Sequence, residues 1–378
     1  MSARFAAAAL AALALVPIGC GDGGGNGRGS GPTLTVYVSA PLHGERAAEG
    51  RAIVNGAKLA LVDAGSEVSG IAVEGVYLDD TEQGRWSLAG TAENARRASE
   101  DVTAIGYVGD LDSGATRVSL PITNQAEMVQ ISPGSTAVDL TRTPSAGDLE
   151  PERLQPTDTQ TFARVVPADD MQARAAALWA KRMGVERVDF VSDGSQFGEV
   201  LAEAFSSEAA RLGLGTGEGG GVDALYYAGS PEGFARALRG RPPRTVIASD
   251  ALLVPSFLRR VGPLADRLHI TSGFRDPSTL PLEGRRFARS YRRRFGQPPG
   301  PAAAYGYESM ALLLDAIRRA GDQRDQRDAV IDEVLSTRDR RSVVGTYSID
   351  GNGDTTLEMI SGYRVRDGKP VFETELRP

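Results

Sequence analysis

Cysteine is almost missing from this chain. Cys20 is the only one among 378 residues, so no internal disulfide is possible and stability must come from an apolar core. Histidine is nearly as scarce. His43 and His269 are the only two, which removes the His/acid spacings of zinc sites and the base of a Ser-His or Cys-His pair. No glycine-flanked serine elbow occurs either, so hydrolases and metalloenzymes lack their parts, and neither an enzyme activity nor a cofactor is expected. Net charge is only mildly acidic at -7. No Lys/Arg stripe carries interleaved aromatics, and Arg285-Arg286 with Arg292-Arg293-Arg294 fit the solvated face of one amphipathic helix, which argues against a nucleic-acid partner. With 41% hydrophobic and 24% charged residues the composition is that of a soluble globular chain. Long apolar runs are also lacking, and the single stretch at 5–18 is too short to cross a bilayer as a helix.

That stretch follows Arg4 and ends just before Gly19-Cys20, the layout of a signal peptide with a charged start and a short apolar middle. Residues 1–19 are therefore expected to be removed on export. Cys20 offers a thiol that could carry a diacylglycerol. Pro17 occupies the third position before it, where Leu or Val is usual in a lipobox, so ordinary cleavage or an uncleaved anchor stand as alternatives. The glycine-rich residues after Cys20 bury nothing and make 20–32 a flexible tether. They are no phosphate loop, because no strand precedes them and no helix pattern opens after them. The expected location is the outer face of the cell membrane or the periplasm, lipid-anchored, with roughly 345 residues left for one or two lobes.

From Leu34 onward, short β-branched or apolar runs alternate with segments of helical period, which calls for parallel sheets covered by helices on both faces. Strands are expected at 34–38, 71–78, 104–108 and 128–131, with helices at 45–64, 85–100 and 113–126. A patternless excursion at 139–160 carries Pro144, Pro151 and Pro156. The alternation then restarts with strands at 162–166, 187–192, 222–228 and 245–249 and helices at 168–183 and 197–212. Helices at 282–295, 301–320 and 327–336 precede a β-rich tail at 343–372. The fold class is thus α/β, two doubly wound lobes, and ligands of such sheets sit beyond the carboxyl ends of the strands.

An ordered set of local sequences gives this pattern a likeness. Leu34-Thr-Val-Tyr-Val-Ser39, Gly56-Ala-Lys-Leu-Ala-Leu61, Val76-Tyr-Leu-Asp-Asp80, Gly109-Asp-Leu-Asp-Ser-Gly-Ala-Thr116 and Ile131-Ser-Pro-Gly-Ser-Thr136 occur in the first half. Phe162-Ala-Arg-Val-Val-Pro167, Phe190-Val-Ser-Asp193 with Phe197-Gly198, Tyr226-Tyr-Ala-Gly229 and Ala304-Tyr-Gly-Tyr-Glu-Ser309 follow. Together, over residues 33–375, they resemble the type 1 periplasmic binding proteins, most closely the branched-chain amino acid (Leu/Ile/Val) receptors of ABC transporters. The resemblance implies Rossmann-like lobes at 33–164 plus 274–344 and at 165–273 plus 345–378, joined by a hinge of three crossings near Val165, Ser272 and Gly345. It also implies a partner ABC permease that receives an amino acid-like solute from the cleft. The same fold serves as the ligand-binding part of signalling receptors, so a sensory receptor subunit acting through a separate membrane partner is the alternative.

An amino acid needs donors for its carboxylate and acceptors for its ammonium. Ser113, between a strand and a helix start, places a hydroxyl and helix N–H groups where an anion is favoured. By resemblance Ser113 and Thr136 hold the ligand carboxylate, and a backbone carbonyl at Gly134 or Ser135 together with the Asp250 carboxylate holds the ammonium. Helix capping is the plain alternative for Ser113, Thr136 and Asp250. The side-chain pocket departs from the family pattern, with Phe197 opposite Glu49, Ser230 at another wall, and Tyr305 or Tyr307 from a helix. Asp112 and Asp110 beside Ser113 add negative potential, which discourages an acidic ligand and admits polar or basic amino acids, amides or amines. A further departure is the glycine run at 213–221, where the family has a helix; one sheet face is expected to be less covered there. Asp350-Gly-Asn-Gly-Asp354 with Glu358 fails as a calcium loop, since Thr355 stands at the required glycine, and reads as a hairpin turn. No metal site is expected.

Overall fold

The computed structural model describes residues 33–144, 151–217, 221–238 and 244–378. The signal segment, Cys20 and the tether lie outside the described residues.

The first sheet is built from β1 (Thr33–Ala40), β2 (Ile71–Asp79), β3 (Ala104–Val108), β4 (Val129–Ser132) and β5 (Phe162–Arg164). They lie parallel in the order β2-β1-β3-β4-β5, with Glu67–Val68 added antiparallel at the outer edge of β2. Parallel pairing requires a crossover between strands, and α1 (Ala47–Asp63), α2 (Leu88–Glu100) and α3 (Ser113–Gln125) supply it. The helix expected from residue 85 begins at Leu88. Arg85–Trp86 instead pairs with Thr81–Glu82, and Ser87 caps the helix by accepting the Gly90 N–H at 3.0 Å.

The second sheet follows α4 (Asp169–Arg182). It runs through β6 (Arg187–Ser192), α5 (Gln196–Arg211), the short edge strand β7 (Gly215–Thr216), β8 (Ala224–Ala228), α6 (Pro231–Ala237), β9 (Thr245–Ser249), α7 (Pro255–Val261) and β10 (Leu268–Ser272). The chain then returns to the first sheet with α8 (Leu282–Phe295), α9 (Pro301–Arg319) and α10 (Arg327–Leu335), and closes the second sheet with the antiparallel pair β11 (Ile360–Arg366) and β12 (Lys369–Leu376). The strand order is β7-β6-β8-β9-β10-β11-β12. Among the described residues no helix separates β7 from β8, and Arg187 and Asp189 on β6 stand exposed, as the short glycine run anticipates.

The main core of the first sheet lies between its strands and α1, α8, α9 and α10, with Val36, Val38, Ile105 and Ile131 facing Tyr305, Leu313, Ile317 and Val330. Helices α1 and α9 touch backbone to backbone. A Cβ on Gly306 would sit 2.3 Å from the Ile53 carbonyl oxygen, and one on Gly56 would sit 2.1 Å from that of Ala303, so neither site has room for a side chain. In the second sheet α4 and α5 cover one face through Ala176, Leu201 and Phe205, while Phe234 of α6 and Phe257 of α7 cover the other.

The chain changes sheet between Arg164 and Asp169 and again after Ser272. The third crossing differs from the position expected at Gly345. Tyr347, Ile349 and Leu357 remain in the core of the first sheet, and Ile360 packs with Trp179 of α4 and Leu376, so the crossing falls around Glu358. The β-rich tail concealed it, since two-residue strands at Arg340–Arg341 and Thr346–Tyr347 pair with each other before the long strands begin. The 350–354 segment is a turn, as expected. Asp350 accepts the N–H groups of Asn352 and Asp354, and the Asp354 carboxylate is held by Arg164 at 2.7 Å and Arg142 at 2.9 Å. Arg164 is fully buried.

Candidate ligand-binding site

A cavity of about 640 Å³ opens beyond the carboxyl ends of both sets of strands, within the size range of small-molecule sites. Asp112, Ser113, Gly134 and Thr136 line it from the loops after β3 and β4, and Phe197 and Asp250 line it from the second sheet. Glu49 lines it as well, from the first turn of α1.

Ser113 is the first residue of α3, and its Oγ accepts the N–H groups of Thr136 and Ala137, both at 3.1 Å. With its lone pairs so used, the hydroxyl proton is left to donate into the cleft. Asp112 occupies the N-cap position of α3 without capping it through its side chain, so the first-turn N–H groups add to the favourable field for an anion. Ser113 therefore ties two cleft loops together and is no helix cap.

Asp250 follows β9 and lies half-buried in the cavity wall. It accepts Nε2 of Gln172 at 3.1 Å and the Ser272 hydroxyl at 2.7 Å. No cap bond from its side chain is present at either following helix. Behind it, Gln172 Oε1, Ser249 Oγ and the Tyr226 hydroxyl are buried without a hydrogen-bond partner among the described residues. Acceptors and donors that far from water gain most when a polar ligand or an ordered water meets them.

Three of the expected contacts fall elsewhere. Ser135 is fully buried, with its hydroxyl on Thr116 at 2.7 Å and on the Asp110 carbonyl at 3.1 Å, and its own carbonyl taken by Arg164 at 3.2 Å. Ser230 is turned toward Asp193, which accepts its N–H at 2.8 Å and its hydroxyl at 3.0 Å. Tyr305 is buried at the second crossing, where its hydroxyl accepts the Arg275 N–H and donates to the Gly273 carbonyl. Tyr307 points away too, to Asp63 at 3.1 Å. Asp110 lies beneath the cavity rather than in it, bonded by Ser119 and Tyr107, and burial pushes its carboxyl up to about 6. His43 sits on Asp79 in solvent.

Three charged residues escaped the sequence reading. Asp169, first residue of α4, lines the cavity near the hinge; burial, with Asp250 nearby, pushes its carboxyl up to about 7 against the stabilising bond from Thr136. Its place beside Asp170 in a first helical turn reads from sequence as ordinary dipole compensation. Arg117 binds Asp139 through both Nε and Nη2, at 2.9 and 2.6 Å. Arg46 lies between Glu49 and Asp112 and bonds to both. Burial works against its charge, but the two carboxylates more than offset this and hold it protonated. Arg117 finds Asp139, and Arg46 finds Asp112, in other segments of the chain, which no local pattern announces; only the Arg46–Glu49 pair is local.

A family profile for periplasmic binding proteins matches residues 33–256 and 221–369. The Leu/Ile/Val-binding protein BraC3 of Rhizobium johnstonii is 26% identical over 371 residues, covering 89% of this chain and 93% of that protein. Among solved structures, the leucine-binding protein LivK of Thermotoga maritima superposes with a TM-score of 0.71 at 24% identity, covering 91% of this chain and 99% of the other. The branched-chain amino acid transporter substrate-binding protein LivJ of Streptococcus pneumoniae, solved with isoleucine, gives a TM-score of 0.69 at 19% identity over 92% of this chain and all of its own. These matches agree with the strand order and the cleft: the chain belongs to the type 1 periplasmic binding protein family.

Proposed function

We propose that this protein captures an amino acid-like solute in the cleft between its two sheets and hands it to an ABC permease. The observation that carries the reading is the opposition of two complementary ends across one cavity. Ser113 and the start of α3 offer donors for a carboxylate, with Thr136 lining the cavity beside them, and Asp250 offers an acceptor for an ammonium. Asp169 reinforces the ammonium end. The relatives support the amino acid class, since BraC3 is named for Leu, Ile and Val and LivJ was solved with isoleucine. Binding and closing are the whole mechanism: the ligand favours the closed arrangement by as much as it gains contacts there, and no covalent step is needed. Lobes at 33–164 plus 274–357 and at 165–273 plus 358–378 would close on the solute. Attachment through Cys20 would keep the protein at the outer face of the membrane, within reach of the permease.

Thermal unfolding of the purified protein with each common amino acid tests this. A ligand at 100 times its dissociation constant adds about 2.7 kcal/mol to stability, so at least one amino acid should raise the midpoint by several degrees. No shift with any of them would refute the amino acid reading.

A further inference from the structure

We infer that the side chain of the captured amino acid ends in a positive charge, as in lysine, ornithine or arginine. The inference rests on the amino acid reading above and adds the chemistry of the cavity lining where α1 meets the start of α3. There one guanidinium is shared by two carboxylates: Arg46 gives Nε to Glu49 Oε2 at 2.8 Å and Nη1 to Asp112 Oδ1, with Nη2 also on Glu49 Oε2. Glu49 Oε1 and Asp112 Oδ2 have no partner among the described residues. The two side chains are 39% and 33% exposed, enough to receive a ligand group and little enough to lose water when the cleft closes.

The charge balance points the same way. Arg117 is committed to Asp139, and Asp250 and Asp169 serve the ammonium end. What remains of the charged lining is Glu45, Glu49 and Asp112 against Arg46 alone. A leucine side chain would strip water from the two free carboxylate oxygens and give nothing back. An acidic side chain would meet like charge. An ammonium or guanidinium would complete an alternating cluster of two cations and two anions, and Phe197, lining the cleft from α5, offers its ring to the methylene stem.

Titration calorimetry of the protein with L-arginine, L-lysine, L-ornithine, L-leucine and L-glutamate tests the inference. At least one basic amino acid should bind a hundredfold or more tighter than L-leucine. Glu49→Gln and Asp112→Asn should each weaken that ligand by tenfold or more, with the unfolding temperature checked to exclude misfolding. Tighter binding of L-leucine or L-glutamate would overturn the basic side chain while leaving the amino acid reading in place. Basic amino acids bound equally well by the Glu49→Gln/Asp112→Asn double variant would overturn the assignment of this wall. No heat with any amino acid would overturn both readings.

Discussion

Asp250 and Ser113 do their work as single atoms in fixed places, and each can be removed with little loss of packing. Asp250→Asn keeps the shape and the contact to Ser272 but removes the charge that answers an ammonium. Because hydrogen bonds to charged groups contribute about 1.5–3 kcal/mol, affinity for the bound amino acid should fall by tenfold to more than a hundredfold, measured by calorimetry, with an unchanged melting midpoint. Ser113→Ala should cost affinity on a similar scale and also loosen the loop at Thr136 and Ala137; retained affinity would show that the carboxylate lies elsewhere. That Ser113, Thr136, Phe197 and Asp250 line the cavity could be read from the sequence, because each follows a strand within a few residues, where both the motif and the strand-end rule speak. Ser135 and Ser230 share that setting, yet Asp110 and Asp193 claim their polar atoms, and Tyr305, inside α9, spends its hydroxyl on Gly273 and Arg275. Only the folded arrangement decides which strand-end side chain faces the cleft and which ties a loop.

At the scale of elements, the apolar runs announce β3 and β9 to the residue, since buried parallel strands must be apolar on both faces; β6 keeps its expected bounds although Arg187 and Asp189 stand exposed, and β1 reaches beyond its expected run to Thr33 and Ala40. Short helices α6 and α7 and the third crossing were less legible, because a seven-residue helix completes only two turns and the tail mixes first-sheet and second-sheet strands. The contact between α1 and α9 gives a sharp test. Gly306→Ala must push α9 away from Ile53, and such overpacking costs about 1–3 kcal/mol, so the urea midpoint should drop; an unchanged midpoint would mean that the helices part freely. Arg164→Leu leaves the largely buried Asp354 with Arg142 alone and should destabilise by about 3–5 kcal/mol in the same assay.

Asp80, at the end of β2, makes the element sensitive to pH. It is fully buried, and neither carboxylate oxygen has a partner among the described residues. Burial, then Asp110, Asp112 and Asp79, push it up to about 8 from the ordinary 3.8. The native state therefore keeps a proton that the unfolded chain has lost, and stability declines as pH rises from about 4 to about 8, levelling above that. Asp169 and Asp110, also raised, act in the same direction. Urea midpoints at pH 5 and pH 8 should differ less in Asp80→Asn than in the unaltered protein. An equal drop in both would place the sensitivity elsewhere.

For the whole molecule, two sheets joined by three chain segments allow one motion of consequence, a rotation that opens or shuts the cleft. The connections are braced by hydrogen bonds and an ion pair rather than by disulfides: Tyr305 ties Gly273 to Arg275, Arg275 bonds Glu375 at 2.8 Å, and the Asp276 N–H donates to the Ser361 hydroxyl oxygen. Such a hinge can be bistable only if something bound in the cleft prefers the shut form. Small-angle scattering of the protein with and without a saturating mixture of the common amino acids measures that preference directly. The account predicts a smaller radius of gyration in the presence of the mixture; an identical radius, with amino acids in excess, would contradict it.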